Sequence, residues 1–174
     1  MNIELRKQLD TIPTFEITQQ PARLEELRTH FGHTILTLDS DHLFFNDGST
    51  YNCFAYALSL VGQEGYIDIA SSYPGDVSAN SEFILFLLEN GYIKETTNDG
   101  IVVYFSDSAR PTHAGFIAGN SVISKWGTGL LFKHNIYDLP YSYGSEFKKY
   151  YTLTSEASLE YFYDFAETRG WQFE

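Results

Sequence analysis

Tyr51-Asn52-Cys53-Phe54-Ala55-Tyr56-Ala57-Leu58-Ser59-Leu60-Val61-Gly62 is the stretch on which the fold turns. Phe54, Ala57, Leu58 and Val61 recur at i, i+3, i+4 and i+7, the spacing that lines one face of an α-helix, and Gly62 follows as a stop. The polar run Asn46-Asp47-Gly48-Ser49-Thr50 just upstream reads as a turn, so the helix is expected to start at Cys53. The cysteine therefore stands at a helix N-terminus.

Upstream, Leu24, Leu27 and Phe31 are spaced as on a helix that has Pro21 in its first turn and Gly32 just past its end, a peripheral helix. Downstream, Ser78-Ala79-Asn80-Ser81-Glu82 leads into Phe83-Ile84-Leu85-Phe86-Leu87-Leu88 and closes at Asn90-Gly91. That segment is apolar almost all round, which predicts a buried helix. The pattern then changes to short β-branched or aromatic runs: Ile101–Phe105, His113–Ala118, Ser121–Trp126 and Phe147–Leu153. Gly119-Asn120 is expected to turn the middle hairpin of an antiparallel sheet. A last helix over Ser155–Arg169, with Ser155 as N-cap, should bury Leu159, Phe162, Phe165 and Ala166. Helices followed by strands predict an α+β fold. The 174 residues fit one domain, with 1–45 as a peripheral segment, 46–152 as the core and 153–174 as a C-terminal helix.

Composition narrows the functional classes. Lysine and arginine number 11 against 23 aspartates and glutamates, a net charge of −12, which is the wrong sign for gripping phosphate backbones, so no nucleic-acid partner is expected. The 13 tyrosines and 14 phenylalanines favour a protein or peptide partner. The longest apolar run falls far short of the roughly 20 residues that span a bilayer, so no membrane partner is expected. The N-terminal residues lack the basic and apolar regions of an export signal, and a lone cysteine forms no intramolecular disulfide. A reduced, cytoplasmic setting follows, or delivery by a dedicated secretion system.

Cysteine reacts as its thiolate, which a helix N-terminus favours, and a histidine on an adjoining strand can take the thiol proton. Cys53 and His113 are the candidates, and the two side chains are expected within hydrogen-bond reach. The plainer reading of Cys53 is packing, since free cysteine is among the most buried residue types. Asn52 either aims its amide at an oxyanion or simply caps the helix. His30, His33 and His42 lack helical i, i+4 partners, so no metal is predicted. Trp126-Gly127-Thr128-Gly129 lacks the lysine and spacing of a phosphate loop and reads as a turn, so no cofactor follows.

Tyr51-Asn52-Cys53-Phe54-Ala55-Tyr56-Ala57-Leu58, Gly100–Phe105 and Thr112–Asn120, in that order, resemble the papain-like cysteine hydrolases of the NlpC type. The chain is similar, more closely, to an uncharacterised bacterial domain family with Tyr-Asn-Cys-Ile-Ala-Trp-Ala-Leu, Thr-His-Ala and Ser-Lys-Leu-Gly segments and a following histidine. The last two elements read here Ser124-Lys125-Trp126-Gly127 and His134. The resemblance spans roughly residues 46–152. It implies a papain-like fold, with Cys53 as nucleophile, His113 as general base and a third polar group that orients the imidazole. Counted without gaps, the third position falls on Lys125, a donor that cannot accept the imidazole N–H. A two-residue turn at Gly119-Asn120 puts Ser124, not Lys125, on the face of His113, and His134 is the other candidate. Two functions follow. One is a cysteine-dependent amide hydrolase, deamidase or acyl-transfer enzyme acting on a protein or peptide. The other is a catalytically inactive papain-like binding module that engages a basic protein partner. A buried thiol favours the second.

Overall fold

The computed structural model describes residues 1–38, 50–72 and 77–172. Of the turn expected at Asn46–Thr50, residues 46–49 lie outside them, as does His42. Asn2 caps the first helix, α1 (Ile3–Leu9), by accepting from the Leu5 N–H, and α2 spans Gln20–Phe31. A two-residue strand, β1 (Leu36–Thr37), precedes α3 (Cys53–Ala57), α4 (Glu64–Ser72) and α5 (Ser81–Glu89). Then come β2 (Ile101–Phe105), β3 (Pro111–Ala118), β4 (Ser121–Lys125), β5 (Leu131–His134) and β6 (Glu146–Tyr150), and the chain closes with α6 (Ser155–Thr168). The fold is α+β: among the described residues, six α-helices accompany one six-stranded sheet in the order β1-β5-β4-β3-β2-β6 with every neighbouring pair antiparallel.

Each face of this sheet carries its own apolar core. On one lie α3, α4, α5 and α6, with Phe54, Ala57, Phe83, Ile84, Leu87, Phe162 and Phe165 packed on Ile101, Val103 and Ala114. On the other, Leu5, Leu9, Ile12, Leu24 and Ile35 of the N-terminal segment pack on Val102, Tyr104, Val122, Trp126 and Phe132. The segment expected to be peripheral is thus a full layer. Arg6 fastens it: its buried guanidinium donates to the carbonyls of Leu139 at 3.1 Å and Pro140 at 3.2 Å, and to that of Gly144. Hydrogen bonding to three carbonyls offsets the desolvation of the charge, although burial still lowers the Arg6 pKa.

Several boundaries differ from expectation for local reasons. α3 ends at Ala57 rather than near Gly62, because Ser59 takes φ 56° and the Leu60 N–H turns back to the Ala55 carbonyl at 2.9 Å. Thr154, not Ser155, caps α6: it has extended backbone, and its hydroxyl accepts from the Ala157 N–H. Leu159 is half-buried, whereas Phe162, Phe165 and Ala166 are buried. β4 stops at Lys125 because the Trp126–Leu130 turn follows, with Gly127 at φ 59°. Gly119-Asn120 turns the β3–β4 hairpin with Ala118 paired to Ser121, as expected. No helix among the described residues is long and apolar enough to cross a membrane.

Candidate functional site

Asn52 sits in extended backbone, and its carbonyl oxygen accepts from the N–H groups of Phe54 and Ala55, both at 3.0 Å. Its amide nitrogen donates to the Ala79 carbonyl at 2.7 Å. Both ends of the amide are therefore engaged in structure: Asn52 is the helix cap, and its donor points at Ala79. Cys53 occupies the first helical position and is 8% exposed. Burial pushes its thiol up to about 11, while the backbone N–H groups of Ala114, Cys53 and Phe54, together with Lys125, pull in the other direction. Desolvation prevails over the helix terminus.

β3 has no polar face, and this determines where His113 goes. Ala114 belongs to the core beneath α3, so the side chains before and after it point to the other side of the sheet. There His113, paired with Tyr104 across β2, is fully buried and stacks on Tyr143 with 4.1 Å between ring centroids. Cys53 and His113 consequently lie on opposite sides of the sheet, contrary to the hydrogen-bonded pair expected from the motifs. Both ring nitrogens of His113 are buried without a hydrogen-bond partner among the described residues. Burial, and after it the charge His134 would carry, holds the His113 pKa well below the ordinary histidine value.

Ser124 and His134 join His113 on that side. Gly115 makes this possible, since a Cβ there would lie 2.7 Å from the Ile123 carbonyl oxygen and 2.8 Å from the Ser124 Cβ. The partners fix the tautomer of His134: Nδ1 donates to the Asn135 carbonyl at 2.7 Å, so Nε2 accepts from the Ser124 hydroxyl at 2.8 Å. Ser124 in turn accepts from the Trp126 indole N–H at 3.2 Å. The network fills the second core, and burial lowers the His134 pKa to about 4. His134 ends β5 and is 2% exposed, so it belongs to the core and not to a surface loop.

Lys125, rather than His113, interacts electrostatically with Cys53. Its ammonium lies 4.2 Å from the Tyr51 ring centroid, donates to the Gly129 carbonyl at 2.7 Å, and is coupled electrostatically to the Cys53 thiol. Burial lowers its pKa to about 8. The motif count that ends on Lys125 is the signal that would have identified it. A lysine does not orient an imidazole, and here its charge acts on the thiol instead. His33 is buried by bonds to Leu24 and Ile35, and His30 lies on α2. Among the described residues no three His, Cys, Asp or Glu side chains converge as metal ligands would.

Residues 45–151 match the model of a family described as Domain of unknown function (DUF7689). No curated protein and no solved structure matches.

Proposed function

The chain belongs to the DUF7689 family, and we propose that it is a non-catalytic binding module, a papain-like scaffold that engages a basic protein or peptide. The observation that carries this reading is the separation of Cys53 from His113 by the sheet, with the thiol buried and its pKa raised to about 11. A thiol so placed is packing, and no imidazole takes its proton. The net charge of −12 supplies long-range attraction for a cationic partner and repels anionic ones. The papain-like assignment draws on a helix that begins at the cysteine and packs across antiparallel strands.

One observation favours a second reading, that of a Cys53-dependent amide hydrolase or acyl-transfer enzyme: the charge of Lys125 acts on the thiol and its pKa is lowered to about 8, which makes it a base candidate. The test incubates the chain and its Cys53→Ala variant with a fluorescent basic peptide. The binding reading expects both to bind it equally and mass spectrometry to recover it unchanged. Cleavage, deamidation or acyl transfer that needs Cys53 would overturn it.

A further inference from the structure

β6 forms one edge of the sheet, and that edge is only partly covered. The Thr96 N–H donates to the Lys149 carbonyl at 2.9 Å and the Tyr151 N–H to the Lys94 carbonyl at 3.0 Å, so the odd-numbered residues of β6 turn their backbone groups outward. The covering segment stops there, leaving the N–H and carbonyl of Phe147 without a hydrogen-bond partner among the described residues. An unpaired strand edge is a template for another extended chain.

Beside this edge lies a groove of about 420 Å³ between β6, Leu88 of α5 and the Ser106–Arg110 turn. Leu88, Phe105 and Tyr150 give it an apolar lining, while Glu95, Asp107 and Glu146 stand at its rim. Lys148 is paired with Glu95. Asp107 and Glu146 are exposed and make no ion pair among the described residues, so the rim retains uncompensated negative charge. The wall is a tight turn in which Ala109 adopts φ 59°, a conformation alanine rarely takes.

We propose that this groove, resting on the binding-module reading, receives an extended basic peptide segment added along the free edge of β6. Phe147 exchanges backbone hydrogen bonds with the segment, one apolar side chain settles against Leu88, Phe105 and Tyr150, and flanking lysine or arginine side chains meet Asp107 and Glu146. Side chains of an extended peptide alternate in direction, so those that enter the groove are two positions apart, and the recognised pattern is an apolar residue with a cation two positions before or after it, without proline at the paired position.

The probe is a fluorescein-labelled peptide that repeats Lys-Ser-Leu-Ser, which puts lysine and leucine on one face, compared with one in which glutamate replaces lysine. Fluorescence anisotropy is measured for the full chain, for D107K/E146K, and for E160K/E167K, which makes the same charge change on the exposed side of α6. The expected result is binding of the lysine peptide alone, weakened about tenfold or more by D107K/E146K and much less by E160K/E167K, with the Phe147 amide protected from hydrogen exchange in the complex. Equal weakening by both variants, or binding without protection of Phe147, overturns the groove assignment and leaves the binding-module reading intact. Failure of the wild-type chain to bind any basic peptide overturns both.

Discussion

Acid should destabilise this protein through His134, by an amount its surroundings set. The ring is 2% exposed, donates to the Asn135 carbonyl, accepts from Ser124, and has its pKa lowered to about 4. An unfolded chain returns it to the ordinary value of about 6.5. Because the folded pKa is the lower one, the stabilisation is complete above about pH 6.5 and is lost as pH falls towards 4, the range in which only the unfolded chain takes up the proton. At about 1.4 kcal/mol per pH unit, the loss between pH 7 and pH 4.5 is about 2.5 kcal/mol from this residue. His113 acts in the same direction. The assay is urea unfolding of the wild-type chain and His134→Gln at pH 7, 6, 5 and 4.5. Glutamine keeps one donor and one acceptor, and the variant retains every carboxylate, so the difference between the two curves isolates the imidazole. The stability gap between wild type and variant should shift by about 2.5 kcal/mol in the variant's favour across the range. Parallel curves would refute the buried, neutral His134.

Leu87 is fully buried and Leu85 half-buried, so Leu87→Ala should cost about 2–5 kcal/mol and Leu85→Ala distinctly less, as read from denaturant midpoints. Asn52→Ala removes the α3 cap and the donor to Ala79, and should cost about 1–2 kcal/mol in thermal or denaturant unfolding without changing binding of the basic peptide. Lys125→Met removes an amine that, with its pKa near 8, is uncharged by the pH at which the thiol ionises, so the midpoint of thiol alkylation should stay near pH 11. A midpoint that rises in the variant would mean that the ammonium persists beside the thiolate as an ion pair.

The parts of the fold visible in the sequence were those governed by local pattern. The 3.6-residue spacing of Phe162, Phe165 and Ala166 identified α6, and the Gly119-Asn120 turn correctly put Ser124 on the side of His113. The face on which His113 lies relative to Cys53 was not visible. β3 reads Pro-Thr-His-Ala-Gly-Phe-Ile-Ala with both sides covered, so no alternation of polar and apolar residues marks which side α3 chooses. That choice is made by distant packing: the N-terminal layer, fastened by Arg6, occupies the His113 side and leaves the Ala114 side to α3. β1 and β5 carry no clear strand signal, since Leu36–Thr37 is two residues long and Leu131–His134 contains a lysine and a histidine that read as loop chemistry. His134 is acceptable in a core only because Ser124 and Asn135 satisfy both ring nitrogens, a condition that spacing does not reveal.

Alkylation of Cys53 by iodoacetamide, followed from pH 6 to pH 11 in the native wild-type chain and in His113→Ala, addresses the separation of thiol and imidazole directly. With the thiol pKa raised to about 11 and His113 on the other side of the sheet, labelling should be slow at pH 6 and rise only towards the top of the range. At pH 8.5 it should run about two orders of magnitude below that of a free cysteine with a pKa of about 8.5. His113→Ala should leave the midpoint unchanged as long as the chain remains folded. Rapid labelling at pH 6 that is abolished by His113→Ala would reveal a thiolate–imidazolium pair and contradict the binding-module reading.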